Sequence, residues 1–251
     1  MKGVAVVAGA GGHTGPALAL GLAAAGFDIA LLDAVPLDTA RTAADKVVRR
    51  VEESGRRCVT VESDLADIQS VGVAFGRVRT ALGGPAVLVI CVAPAPVPEG
   101  LPEDASADEQ RCAAVRRALR PAFVCCQAGA GHFLRHRRGR IIVVTEPDGA
   151  GESAWRTAQP VLAGLIGFTR SAALELARSG STVNLIAPAH CAADSRAAPA
   201  RRPAAIGGAD AYADGVAHAA RFLADEKAAA ITGQEIYVAA PGPGAPQPRE
   251  R

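Results

Sequence analysis

The sequence predicts an α/β fold, a single domain built on a doubly wound parallel sheet. Three observations carry this expectation. Short apolar runs alternate with helical stretches along the chain, joined by short links, which is the pattern of β-α-β units. The run Ala86–Ala93 is continuously apolar, as a central strand buried on both faces requires. The stretch Val4–Asp33, VAVVAGAGGHTGPALALGLAAAGFDIALLD, reads as strand, glycine-rich turn, helix, strand and terminal acid.

Taken in order, Val4–Ala8 is long enough for one buried strand and too short for a helix. Ala17–Ala25 is a helix of small residues and leucines that Gly26 closes as a C-cap, and Phe27–Leu32 is the second strand. Leu37–Glu53 has a helical pattern ended by Gly55, and Cys58–Val61 is the third strand. Ile68–Leu82 is a helix broken by Gly83-Gly84-Pro85, and the fourth strand runs into an extended loop set by Pro94, Pro96, Pro98 and Pro102. Helices follow across Asp108–Arg137, with an interruption expected near Pro121. Arg140–Thr145 is the fifth strand, Thr157–Ser179 a long helix and Thr182–Ala187 the sixth strand. Pro188–Gly208 is an irregular arm, Ala211–Asp225 a helix and Glu235–Ala240 the last strand. The domain is expected over residues 1–240, with 241–251 a Pro/Gly-rich tail.

The first unit has a chemical meaning. Gly9, Gly11, Gly12 and Gly15 allow a sharp turn and a close approach of backbone to a pyrophosphate that a Cβ would block. The N-terminus of the next helix presents N–H groups and the positive end of its dipole to those phosphates, so His13 and Thr14 belong to the candidate site. Asp33 would accept hydrogen bonds from the adenosine ribose and repel a 2′-phosphate. NAD is therefore the expected cofactor, with NADP disfavoured.

Composition bounds the rest. A chain of 251 residues supports one domain with a full core, and a net charge of +2 gives no electrostatic case for nucleic acid or an acidic membrane. The six cysteines show no metal-ligand spacing and read as buried free thiols of a cytoplasmic protein; no metal site is expected. The N-terminal apolar run is too short for a signal peptide, and no stretch reads as membrane-spanning.

Further blocks sharpen the reading: Asp64-Leu65, Leu165-Ile166-Gly167-Phe168-Thr169-Arg170-Ser171, Thr182-Val183-Asn184 through Pro188, and Ile231-Thr232-Gly233-Gln234-Glu235-Ile236. With the glycine turn and Asp33, these make the chain similar to the short-chain dehydrogenase/reductase family over nearly its whole length. The turn departs from the commonest form, since Gly9, Gly12 and Gly15 are spaced as in extended or atypical members. The resemblance implies a Rossmann-type sheet of about seven strands, an adenine contact from Asp64, and a homodimer or homotetramer formed through the two long central helices. It also adds Leu65, Ala93 and Pro188, at the ends of strands, to the cofactor-binding set.

The same resemblance implies a carbonyl-reducing centre of tyrosine, lysine, serine and asparagine, and here the chain departs from the family. The matched blocks place Ala158 at the tyrosine, Leu162 at the lysine, Ala118 at the asparagine, and Thr145 or Glu146 at the serine. The only tyrosines are Tyr212 and Tyr237, and no lysine lies between Lys46 and Lys227, so no shift of register restores the pair. A phenol of pKa ~10 needs that lysine to exchange protons near neutrality.

Substitutes for the acid can be named. Thr145 could polarise a carbonyl or enol, or be a β-branched strand residue. Glu146, Asp148 and Glu152 follow the fifth strand, where a partly buried carboxyl could exchange protons or a solvated one do nothing. His190 follows Pro188 at the mouth of the sixth strand, where imidazole suits proton transfer. Cys191 beside it points the other way on an extended chain, Trp155 and Arg156 stand at the lip, and Arg196, Arg201 and Arg202 could clamp an acidic substrate. Three functions follow: an atypical NAD-dependent oxidoreductase acting on a small-molecule carbonyl, alcohol or enol; a non-redox enzyme such as a dehydratase, isomerase or cyclase; and an inactive binding partner of an active relative.

Overall fold

The computed structural model describes residues 3–34, 38–93, 106–146, 152–188 and 208–239. Seven parallel strands form one sheet in the order β3-β2-β1-β4-β5-β6-β7. They are β1 (Val4–Ala8), β2 (Asp28–Asp33), β3 (Cys58–Glu62), β4 (Pro85–Val92), β5 (Gly139–Thr145), β6 (Ser181–Pro188) and β7 (Glu235–Val238). The helices are α1 (Gly15–Ala24), α2 (Asp38–Glu53), α3 (Ile68–Ala81), α4 (Ala107–His136), α5 (Glu152–Leu176) and α6 (Gly208–Ala224). The expected fold class is the observed one, with most element ends within a residue or two of expectation.

Each face of the sheet carries its own core. Val6, Ala8, Leu88, Ile90, Ile141 and Val143 pack with residues of α3, α4 and α5, such as Phe75, Phe133 and Leu165. Alternate residues Ala5, Val7, Val87, Val89, Ile142 and Val144 pack with α1, α2 and α6 through Leu18, Leu22, Val51 and Val216. The period of two along a strand sends neighbours to opposite faces, and both faces are covered, so β1, β4 and β5 are apolar without interruption. Burying each Val, Leu or Ile stabilises the fold by about 1.5–3 kcal/mol.

Two expectations are corrected. The α4 helix is not interrupted: it runs unbroken from Ala107 to His136 with Pro121 inside. Proline removes one backbone donor and crowds the preceding turn, and here packing on β4, α3 and α5 outweighs that cost. A capping box between Ser106 and Glu109 sets its start, and Arg137 in the left-handed region ends it. Contrary to the sequence reading, one stretch, Ala158–Ser179, is long and apolar enough to cross a membrane by length and composition. It covers most of α5, which packs on β6 and α4 and gives Val161, Leu162, Leu165, Ala172, Ala173 and Leu176 to the core.

The thiols divide. Cys91, Cys125 and Cys126 are buried, Cys58 is half-buried and Cys112 is exposed. Burial raises the pKa of Cys58, with Glu52 adding, to about 12. Burial likewise raises those of Cys125 and Cys126 to about 12. These groups stay protonated and are poor nucleophiles. Cys191 lies outside the described residues.

At the opposite end of the sheet from the glycine turn, Asp28 is 3% exposed and accepts from the Arg57 backbone N–H at 3.0 Å and from Nε at 2.9 Å. Burial pushes its pKa up, but the Arg57 hydrogen bonds and charge, with Arg56, outweigh this and hold it below the ordinary value. A carboxylate depressed in the folded state contributes stability that is full above the unfolded pKa of about 3.9 and is lost as pH falls through the folded one. Arg57 is 53% exposed, so Arg57→Ala is expected to cost about 1–3 kcal/mol near neutral pH. Thermal melts across an acid series should show the gap from the unmodified chain narrowing below about pH 4, leaving the part owed to Arg57's bonds to the Ala81 and Leu82 carbonyls. A gap that persisted undiminished through acid would remove the ion pair as its cause.

Candidate functional site

The site lies where the sheet order reverses. β1 is flanked by β2 on one side and β4 on the other, and the chain winds outward from this pair in both directions. Ligands of such sheets bind in the crevice beyond the carboxyl ends of the strands at that point. The turn after β1, the end of β2, and the ends of β4 and β5 meet there.

The glycines of the turn are required by what surrounds them. Gly9 has φ +80°, and a Cβ on it would lie 2.8 Å from the Cys91 carbonyl oxygen of β4. A Cβ on Gly15 would lie 2.1 Å from the Ala10 carbonyl oxygen of the same turn. One on Gly11 would lie 2.6 Å from Asp33 Oδ2, and one on Gly12 would lie 2.7 Å from Glu146 Oε1. Two of these four glycines are thus fitted to carboxylates of the chain itself.

Asp33, at the end of β2, accepts a hydrogen bond from the Gly11 N–H and another from Ala34 N–H at 2.9 Å. Its carboxylate is held beside the turn and is partly exposed. Asp64 is exposed and accepts from Ala66 N–H at 2.9 Å, followed by half-buried Leu65. Ala93 is exposed past the end of β4, and Pro188 is buried at the end of β6. His13 is exposed on the turn.

Glu146 is 6% exposed and directly follows β5, where its backbone N–H donates to the Val92 carbonyl at 2.9 Å. Its side chain reaches across to the start of α1. Both carboxylate oxygens accept from the Thr14 N–H at 3.1 Å, and Oε1 also accepts from the Thr14 hydroxyl at 2.5 Å. Thr14 is fully buried and is the N-cap of α1, yet its own side chain makes no capping bond. An N-cap normally supplies the oxygen that satisfies an orphan N–H of the first turn. Here Glu146, from the end of β5, accepts from the N–H and hydroxyl of the N-cap residue itself, and its negative charge lies at the positive end of the helix dipole. The sequence carries no signal for this, because Thr14 reads as an ordinary N-cap and no local pattern links it to a residue 132 positions away.

Thr145 is 7% exposed, and its hydroxyl faces the Ile186 carbonyl of β6 at 3.5 Å. The Tyr212 hydroxyl of α6 donates to the Thr145 carbonyl at 2.9 Å and fixes the end of β5. On α5, Ala158 and Leu162 are buried at 8% and 5% exposure, and on α4 Ala118 is buried at 3%. The structure thus brings Glu146 to the glycine turn and turns the Thr145 hydroxyl toward β6. His190, Asp148, Cys191, Arg196, Arg201 and Arg202 lie outside the described residues, as do the side chains of Glu152, Trp155 and Arg156. Among the described residues, no group of three or more His, Cys, Asp or Glu could hold a metal ion.

The turn therefore fits a dinucleotide in one half only. The Asp33 half offers a carboxylate to a ribose. At the phosphate half, the Thr14 N–H that would meet a pyrophosphate oxygen already serves Glu146.

Away from the cleft, Asn184 of β6 explains a motif. Its amide donates to the Ile231 carbonyl at 2.8 Å and its oxygen accepts from Gln234 N–H at 3.1 Å. Val183 N–H donates to the Thr232 hydroxyl at 3.0 Å, and Gly233, with φ +72°, donates its N–H to the Val183 carbonyl at 2.7 Å. The Thr-Gly-Gln turn is a clasp that seats β7 on the sheet.

Comparison with known proteins agrees with the geometry. The family described as enoyl-(acyl carrier protein) reductase matches residues 9–240. A Streptomyces niveus protein described as short-chain dehydrogenase/reductase family member NovK is 70% identical over 240 residues, covering 96% of each chain. The 3-oxoacyl-(acyl-carrier-protein) reductase FabG of Staphylococcus aureus is 30% identical over 248 residues, covering 93% of this chain and 95% of its own. A Synechocystis reductase of the same description is 32% identical over 243 residues, covering 94% of each. With its seven-stranded sheet and glycine turn, this chain belongs to the short-chain dehydrogenase/reductase family.

Proposed function

We propose that this chain is a redox-silent member of its family that works as a companion subunit, joined through α4 and α5 to a second chain of the same fold. The observation that carries the reading is the inner side of α5. Where the family resemblance implies a tyrosine and its lysine, Ala158 and Leu162 are buried apolar residues. Glu146 and Thr145 do not replace them, because the first is bound to Thr14 and the hydroxyl of the second is aimed at a backbone carbonyl.

The outer sides of the same helices support association. Phe123 and Leu134 on α4 are 50% and 49% exposed, and Leu174 on α5 is 80% exposed. Phe123 meets Phe168 of α5 with ring centroids 4.6 Å apart, beside a groove of about 700 Å³ between the two helices. Isologous contact of two such surfaces would cover this apolar patch. The cleft favours NAD over NADP, because the Asp33 carboxylate repels a 2′-phosphate. The free thiols suit a reducing cytoplasm.

Light scattering at micromolar concentration tests the association. The unmodified chain is expected to run as a dimer or larger, and Phe123→Asp with Phe168→Asp as a monomer with an unchanged circular dichroism spectrum. A monomeric unmodified chain would remove association of two copies through α4 and α5.

A further inference from the structure

We propose that Glu146 is a built-in anion: its carboxylate occupies the phosphate position of the glycine turn and keeps a nicotinamide dinucleotide from seating its pyrophosphate. The start of a helix after a glycine-rich turn attracts negative charge through its unpaired N–H groups and its dipole, and in dinucleotide-binding sheets a pyrophosphate takes that place. In this chain the place is filled from within. The Thr14 N–H is shared between both oxygens of Glu146 at 3.1 Å, and the Thr14 hydroxyl is bound at 2.5 Å.

Shape agrees with charge. The space that Gly12 leaves by lacking a side chain is the space Glu146 Oε1 enters, since a Cβ there would lie 2.7 Å from that oxygen. The glycine that would let a phosphate approach the backbone admits the carboxylate instead. Glu146 is 6% exposed and bound on both oxygens, so it is a packed part of the turn rather than a loose side chain.

A dinucleotide entering the cleft must therefore displace Glu146 from Thr14 or place two further negative charges beside it. Like charges a few ångströms apart in a partly dry site repel strongly. The Asp33 half of the cleft is untouched by this conflict, because its carboxylate is held by Gly11 and Ala34 and Glu146 does not contact it. The two halves should thus respond differently to removal of the Glu146 charge.

The experiment is calorimetric titration of the full chain and of Glu146→Ser and Glu146→Gln with NADH, NADPH and adenosine. Thermal melts first establish that each variant is folded. Glu146→Ser is expected to bind NADH at least 10-fold more tightly than the unmodified chain, with NADH preferred to NADPH and adenosine affinity unchanged. Glu146→Gln keeps the shape without the charge and should move NADH affinity the same way by a smaller factor. It also keeps the test open should the serine variant fail to fold. Tight NADH binding by the unmodified chain that the variants leave unchanged or weaken would overturn the proposal. So would failure of every folded form to bind NADH. The outcome is separable from the redox-silent reading, which fails on turnover and not on binding.

Discussion

Purified protein is expected to reduce simple ketones, or oxidise simple alcohols, no faster than buffer with either nicotinamide cofactor. Hydride delivery to a carbonyl leaves an alkoxide, which needs a proton and a positive neighbour as it forms. Ala158 offers a methyl group and Leu162 a buried isobutyl, and neither can supply either. One positioned acid–base group is worth about 10²–10⁴-fold in rate, and one oxyanion donor about 10²–10³-fold. Loss of both places turnover beneath an ordinary spectrophotometric assay of NADH consumption. Robust turnover would show that another group provides the proton. Thr145→Ala, Glu146→Gln and His190→Ala then identify it by which substitution abolishes the rate, and insensitivity to all three would place the reacting centre elsewhere.

Gly15→Ala is expected to unfold the first β-α-β unit or to lower stability by about 3 kcal/mol or more. The added carbon would sit 2.1 Å from the Ala10 carbonyl oxygen, which is backbone of the same tight turn and cannot rotate away as a side chain could. Relief would require moving α1 off β1 and breaking the Glu146–Thr14 contact with it. Gly76→Ala on α3 is the matched control. Nothing lies within 4 Å of its new carbon, so only helix propensity remains, and stability should rise by about 0.5–1 kcal/mol. Urea melts of both variants decide the matter. Equal small effects would mean that the turn is far more compliant than its packing implies.

The fold was legible because its signals are local. A strand apolar on both faces, a glycine turn and a helix of small residues can each be read within ten or so positions, and β1, α1 and β2 carry all three. The continuity of α4 through Pro121 was not legible, because it depends on neighbours distant in sequence overriding a local penalty. The same holds at the site. Asp33 beside Gly11 followed from the β-α-β unit, whereas Glu146 at Thr14 depends on β5 lying beside β4, and β4 beside β1. The sequence puts Glu146 in the loop over the expected substrate site, as a candidate acid. The structure turns it toward the helix start, where an orphan N–H attracts an acceptor more strongly than open solvent holds it.

β1, the earliest strand of this sequence, lies inside the sheet, third of seven. β1 is bounded by β2, which follows it closely in the chain, and by β4, which arrives only after three helices and two other strands. Until β4 emerges from the ribosome, one edge of an entirely apolar strand has no partner, and its unpaired N–H and C=O groups invite pairing with any other chain. Nascent protein is therefore most exposed to misassembly between the completion of β2 and the docking of β4. Parallel pairing over such a separation must first close a long loop, which slows it relative to local contacts. An amino-terminal truncation that removes Val4–Ala8 parts β2 and β3 from the other four strands, whereas loss of β7 trims only an edge.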